Sequence, residues 1–465
     1  MLLCTWGRGP RPPQAGRSWL AESATIHHAV RVNTNRSLGV PSSDIARSSH
    51  VGTAAMPLRR SSQVIVFSLL AVTALPSRAT AQRRAYAPDI VKWIHSFEKA
   101  PDTASPEGRA EQLFRDACRA FGCVGASMAV AVKGKIVFST SYGMADLENL
   151  VPARPSTVYD VGSVSKVMTA VAVMQLVEQG VVHLDDDIRK WVPSFPDKGH
   201  TITVWNIMTH TSGIRHYRDS DFPHGLYGEN VQPFDNLKDA YALFEYDSLL
   251  FVPGTMRYYS SFAVNLLQGV IERASGMDFE AYMRAHVWGP AGMMRTEFDR
   301  PRRITPGRAR SYLMVDGKPI NHPYEDVTYK FASGGMMSTA EDLVRFAMAF
   351  NEGRLLRPAT VQEMIRPQLD GVPEYVPPGQ AADGDQKDKQ QALMWNVEWD
   401  GRAFEGTGRG RMFVQHGGTV KGFGATLYLD PEADIAVATC ANNYNAPSFE
   451  PLIAELFREQ TPGGG

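Results

Sequence analysis

Apolar and polar positions change rhythm several times along the chain. Glu111–Ala120 carries apolar residues at helical spacing, with Gly122 as a stop, and predicts a helix. Ala126–Val132 and Ile136–Tyr142 are β-prone runs joined by Lys133-Gly134-Lys135, a hairpin pattern. Val167–Val177 is apolar nearly all round and ends at Gly180, so it reads as a helix buried on every side. Between about 200 and 320, helical stretches alternate with Gly/Pro turns and no clear strand shows. Ser338-Thr339-Ala340-Glu341 has the form of a capping box and opens a helix through Phe350. Strand-like runs follow at Met394–Trp399, Arg411–Gln415, Ala425–Leu429 and Ile435–Thr439, before a last helical stretch from Phe449 to Phe457. Strands near both ends around a helical middle predict an α/β (α+β) fold. Its antiparallel sheet is built from N- and C-terminal strands, flanked by helices and interrupted by a helical insertion.

The first part of the chain follows another logic. Residues 1–55 are rich in Arg, Ser, Gly and Pro without an apolar period, and read as a disordered upstream extension of the reading frame. Met56-Pro57-Leu58-Arg59-Arg60, the apolar run Val64 to Leu75 and Ala79-Thr80-Ala81-Gln82 then make a basic region, an apolar region and an A-x-A site. That run of twelve residues is short of the roughly twenty needed to cross a hydrocarbon core. The prediction is translation from Met56, a signal peptide over Met56–Ala81, and a secreted or periplasmic protein with no stable membrane anchor after cleavage. A linker over 82–107 leads to one domain over 108–458, and the polar segment Tyr375–Gln391 predicts a flexible loop.

Charge and cysteine content narrow the function classes. Nine of 48 basic and two of 49 acidic residues fall in 1–81, which leaves 39 against 47 from Gln82 onward, a net −8. Such a body is a poor electrostatic match for nucleic acid or an anionic membrane surface. Four cysteines in 465 residues, with no C-x-x-C, exclude a disulfide scaffold and argue against a zinc ribbon. Cys118 and Cys123 flank Gly122 and could pair after export or remain thiols, while Cys440 ends an apolar strand and reads as buried and inert. His183 with Asp185-Asp186-Asp187 reads as a solvated loop after a helix rather than a metal site.

Three segments can carry chemistry. Gly162-Ser163-Val164-Ser165-Lys166 heads the buried helix, and a spacing of three puts Ser163 and Lys166 on one side. A serine hydroxyl needs a nearby base, and a partly desolvated lysine has the lowered pKa to be one. Backbone N–H groups at that helix start would stabilise an oxyanion. Alone, the pattern also fits a helix cap followed by a surface lysine; Ser96-Phe97-Glu98-Lys99 matches it in a polar lead. Pro253-Gly254-Thr255-Met256-Arg257-Tyr258-Tyr259-Ser260-Ser261 ends in Tyr-x-Ser, which both Tyr258 and Tyr259 satisfy. A phenol close to an ammonium can ionise more easily and relay protons; a core tyrosine is the plainer reading. Gln415-His416-Gly417-Gly418-Thr419 ends one strand-like run and leads into the next. Its glycines let a substrate backbone approach and His416 adds a polar or cationic group, or else the pair makes a turn beside an incidental histidine.

Taken together and in this order, the three segments resemble the serine β-lactamase and penicillin-binding-protein superfamily, whose marks are S-x-x-K, Y-x-N/S and K/H-T/S/G-G. Ile207–Ile214, the Pro253-Gly254 turn and Ser333–Thr339 are similar to the branch with class C β-lactamases, D,D-carboxypeptidases and related esterases. Within it, Ser212–Tyr217 and Tyr324–Lys330 resemble the mitochondrial serine β-lactamase-like proteins. The resemblance implies Ser163 as acylated nucleophile, Lys166 as its base partner and Tyr259 as the motif tyrosine. It implies an oxyanion hole from the N–H groups of Ser163 and Thr419, with Ser261, His416, Gly417 and Gly418 binding substrate. Ser261 stands where many members have Asn, and His416, only partly charged at neutral pH, where many have Lys. Both departures count against an efficient β-lactamase and leave esterase or peptidase activity open. The implied reaction uses no metal or organic cofactor; its substrate is a peptide, a D-amino-acid peptide, an ester or a β-lactam. The same scaffold also admits a non-catalytic assembly or binding protein, or a penicillin-sensing domain. His210, in Thr-His-Thr-Ser-Gly, reads as a hydrogen-bonding residue at a helix end.

Overall fold

The computed structural model describes residues 101–222, 225, 229–378, 390–399, 410–443 and 449–458. The upstream extension, the Met56–Ala81 signal, most of the 82–107 linker and positions 379–389 of the predicted loop lie outside these residues.

Helix α1 (Pro106–Ala120) begins five residues ahead of the apolar period, because Ser105 accepts a hydrogen bond from Gly108 N–H and Pro106 occupies the first turn. It leads into the hairpin β1 (Gly125–Val132) and β2 (Lys135–Asp146), then the short β3 (Val151–Pro152). Five C-terminal strands complete the sheet: β4 (Gln390–Gln391), β5 (Asn396–Trp399), β6 (Met412–Val420), β7 (Phe423–Asp430) and β8 (Ile435–Ala441). The order is β3-β2-β1-β8-β7-β6-β5-β4, antiparallel throughout, so the two ends of the domain meet where β1 pairs with β8.

Both faces of the sheet are covered, which is why its central strands are apolar on alternate and intervening positions alike. Met128, Val130, Ile435 and Val437 face α1 and the last helix, α5 (Glu450–Arg458), through Phe114, Ile453 and Phe457. Ala129, Ala131, Ala436 and Ala438 turn the other way, toward Phe346 and Phe350 of α4 (Ala340–Asn351) and α2 (Ser165–Glu178), which is buried from Ser165 to Met174. Cys118, Cys123 and Cys440 are buried thiols, and burial pushes the Cys440 thiol far above its usual range.

The helical middle holds the helix α3 (Ser261–Ser275), which packs on α2, among shorter ones. It is not strand-free, contrary to the expectation for 200–320. Glu297–Phe298 joins Tyr159–Asp160 and Met336–Ser338 in a small sheet, and Tyr312–Val315 pairs with Lys318–Asn321. These runs are two to four residues long, too short for an alternating pattern to register in sequence. Ser338 belongs to that small sheet, its hydroxyl 2.8 Å from Thr296 Oγ1, so the cap of α4 is Thr339, which accepts from Asp342 N–H.

The strand expected to stop at Gln415 instead continues as β6 through Val420, with His416 opposite Leu427 and Gly418 opposite Ala425. Gly418 in it is crowded by the backbone of the serine-bearing turn. A methyl group on Gly418 would fall 2.1 Å from Val161 O and 2.7 Å from Ser163 N; one on Gly162, whose φ is +50°, would fall 2.7 Å from Thr419 N. β6 and the turn that bears Ser163 therefore lie backbone against backbone.

Gly418→Ala should force that contact apart and cost about 1–3 kcal/mol of stability. Gly417→Ala, whose nearest new neighbour is Ala425 O at 4.0 Å, should stay within about 0.5 kcal/mol of wild type. Urea denaturation midpoints of the two variants check the contrast.

Candidate active site

Ser163 sits in the one-turn segment Gly162–Val164 that runs directly into α2. The turn is tied at its exit: Ser165 N–H bonds back to Gly162 O and Ser163 O, and the Ser165 hydroxyl donates to Gly162 O at 2.7 Å. Lys166, three residues on, points to the same side and is wholly buried. Its Nζ lies 2.9 Å from Ser163 Oγ, 2.9 Å from Ser261 Oγ and 2.6 Å from Ser333 O.

Of the two tyrosines that fit Tyr-x-Ser, Tyr259 is the one at the serine. Its Oη donates to Ser163 Oγ at 2.6 Å, while Tyr258 packs on Tyr375 with ring centroids 5.6 Å apart. Tyr259 is placed by the start of α3, where Ser260 is the N-cap and Ser261 the first helical residue. His210 clamps the segment from behind: Tyr258 N–H donates to its carbonyl at 2.8 Å and Ser260 N–H to its Nδ1 at 3.3 Å. With a φ of +59° just past the Val204–Met208 helix, His210 is the helix-end hydrogen-bonding residue its sequence context suggests.

Burial sets the charges here. It holds the Lys166 amine well below the usual lysine range, helped by the nearby charge of Lys330. Lys330 is itself buried, but Glu325, 2.9 Å away, and the rings of Tyr329 and Tyr217 keep it charged, well above its ordinary value. Burial likewise raises Tyr259, against the hydrogen bond to Ser163. The expectation that its phenol ionises easily is thus corrected, because exclusion of solvent disfavours the phenolate. His416 is corrected too. Burial pushes it down to about 3, so it is neutral rather than partly charged at neutral pH, with Nδ1 2.6 Å from Gly417 O.

A cavity of about 340 Å³ opens on Ser163, walled by Tyr259, His216 and Tyr217 on one side and by Gly417, Gly418 and Thr419 with Gly424–Thr426 on the other. Of the residues expected to bind substrate, Gly417 and Gly418 line it. Ser261 instead lies against Lys166, and His416 is buried in β6. Ser163 and Thr419, the expected oxyanion pair, both line the cavity, where the Gly162 backbone approaches Thr419 and that of Gly418 approaches Ser163. Motif reasoning missed His216, Tyr217, Lys330 and Ser333. All four fall in segments picked out for family resemblance, which was the available signal.

The beta-lactamase family model matches residues 110–458. The chain belongs to the beta-lactamase family. The mitochondrial serine beta-lactamase-like protein LACTB of Homo sapiens is 28% identical over 392 residues, 67% of this chain and 69% of that one. Esterase EstB of Burkholderia gladioli is 28% identical over 303 residues, 58% of this chain and 76% of that one. Among solved structures, EstCE1, a hydrolase with promiscuous acyltransferase activity, shares the fold at a TM-score of 0.62 and 23% identity, covering 76% of this chain and 99% of that one. A class C beta-lactamase does so at 0.60 and 18%, covering 78% and 100%.

The charge of Lys330 lowers the pKa of Lys166, so removing it raises that pKa. The paired change Lys330→Met with Glu325→Gln, which leaves no lone buried charge, should move the acidic limb of Ser163 phosphonylation upward by roughly one pH unit or less. Rates of labelling with a fluorophosphonate against pH check the direction.

Proposed function

We propose that the protein is a serine hydrolase that works through an acyl-enzyme on Ser163. The observation that carries this reading is that Lys166 Nζ and Tyr259 Oη both lie on Ser163 Oγ, at 2.9 and 2.6 Å. Ser333 O can only accept a hydrogen bond, whereas the two serine hydroxyls can donate or accept. A neutral amine therefore gives its N–H groups to Ser333 O and Ser261 Oγ and keeps its lone pair for the Ser163 proton. Ser163 attacks the substrate carbonyl, Lys166 takes the proton, and the N–H groups of Ser163 and Thr419 receive the oxyanion. Tyr259, still protonated, hands its proton to the leaving group and recovers one from Lys166, whose freed amine then draws a proton from the water that cleaves the acyl-enzyme.

Substrate class follows from charge. Among the described residues that wall the cavity, none is a lysine, arginine or carboxylate, and burial pushes His216 down to about 3. A substrate carboxylate would lose hydration there without a cation to receive it. The reading is therefore an esterase or amidase for uncharged acyl groups, in preference to a β-lactamase or a D,D-carboxypeptidase. Export through Met56–Ala81 is part of the proposal and rests on sequence pattern alone.

The test is a panel of nitrocefin, p-nitrophenyl esters and D-Ala-D-Ala peptides with fluorophosphonate labelling, on wild type, Ser163→Ala and Tyr259→Phe. Ester hydrolysis and label should vanish in Ser163→Ala, and Tyr259→Phe should lower kcat by about 10²–10⁴. A wild type that neither labels nor cleaves any member of the panel would refute the enzyme and favour a binding or assembly role. Penicillin label that never decays would mark a sensor.

A further inference from the structure

His216 lies outside every motif that singled out the site, yet it forms part of the cavity wall beside Ser163. Its position is built from several directions. Ser261 N–H donates to its Nδ1 at 3.0 Å. The Tyr217 ring packs on it with centroids 3.8 Å apart, and the Tyr259 ring meets it edge-on at 5.6 Å. Tyr217 is in turn backed by the Lys330 ammonium, 5.1 Å from its ring centroid, and by Phe262 at 6.0 Å.

The tautomer follows from these contacts. A ring nitrogen that accepts from a backbone N–H carries no proton, so in the neutral ring the proton is on Nε2. Among the described residues, Nε2 has no hydrogen-bond partner. A fixed N–H donor on a cavity wall, beside a nucleophile and with its other nitrogen already engaged, is the arrangement that orients a bound molecule.

We infer that His216 Nε2–H is a specificity-determining donor for a second, uncharged oxygen of the substrate. The ligand class is an ester or amide whose acyl part carries a carbonyl oxygen besides the scissile one, as an N-acylamino acid does. A plain alkyl acyl chain that displaces solvent from the cavity leaves this N–H unpaired, and sites built to hydrogen-bond a polar group discriminate strongly against analogues that lack it. This inference rests on the serine hydrolase reading and deepens it.

The experiment compares the p-nitrophenyl ester of N-acetylglycine with p-nitrophenyl butyrate, an acyl group of similar length without the second carbonyl. The readout is the ratio of their kcat/KM values, which a general loss of activity leaves in place. Wild type should prefer the N-acetylglycine ester. His216→Asn keeps an acceptor where Nδ1 receives Ser261 N–H but loses the distal donor, and should lower the ratio about tenfold or more. His216→Gln keeps a donor near the Nε2 position and should hold the ratio within about threefold of wild type. A wild type labelled by fluorophosphonate that shows no preference, or a His216→Asn ratio equal to wild type, overturns the subsite alone. A wild type that neither takes the label nor cleaves either ester overturns the hydrolase reading and the subsite with it.

Discussion

Lys166 has no contact with water, and its three polar neighbours, Ser163 Oγ, Ser261 Oγ and Ser333 O, come from separate stretches of chain. An ammonium in that position would forgo hydration worth several kcal/mol, with no carboxylate among these neighbours to offset it. Burial instead holds its pKa well below the usual lysine range, and an amine so placed needs hydrogen-bonding partners rather than a counter-ion. That requirement makes sense of Ser261, whose short hydroxyl fits against Nζ at the first turn of α3. The surroundings are buried to match: Val164 of the turn, Val167, Met168 and Ala170 of α2 and Phe262 of α3 are all without solvent contact.

The second constraint is backbone contact of Gly162 with Thr419 and of Gly418 with Val161 and Ser163. The turn that carries the serine and the strand that carries Thr419 approach more closely than any side chain would permit, and the sheet must pair in register for them to meet. β6 is held by β7 through Val420, opposite Phe423, so the antiparallel ladder sets the depth at which Thr419 stands beside Ser163. Closeness of this kind aligns backbone dipoles in advance of any reaction, which is where such sites draw most of their electrostatic effect.

Charge was moved out of the cavity and placed behind it. His216 and His416 are neutral by burial, and the fixed positive charge belongs to Lys330, paired with Glu325 and roofed by Tyr217 and Tyr329. From there it depresses Lys166 without meeting a ligand. A cation in the wall would attract a carboxylate; one behind the wall shifts the amine of Lys166.

The chain's periodicities settled the secondary elements that bury large faces, because a helix or strand that must hide apolar surface repeats it at 3.6 or 2.0 residues. The β1–β2 hairpin, α2, α4 and the strands β5 to β8 were visible that way, as was the pairing of Ser163 with Lys166, which depends only on one turn of helix; β4 was not, and Gln390–Gln391 pairs at the end of the expected loop. Short strands such as Glu297–Phe298, the diversion of Ser338 from the cap of α4 and the continuation of β6 past Gln415 were not, since their hydrogen bonds are made with distant segments. Choosing Tyr259 over Tyr258 needed family resemblance in sequence and a 2.6 Å contact in space. Tertiary structure alone decided the charge states of Tyr259 and His416, and it alone brought His216, Lys330 and Ser333 to the site. A pKa depends on solvent exclusion and on neighbours that lie far away along the chain, and local pattern holds no record of either.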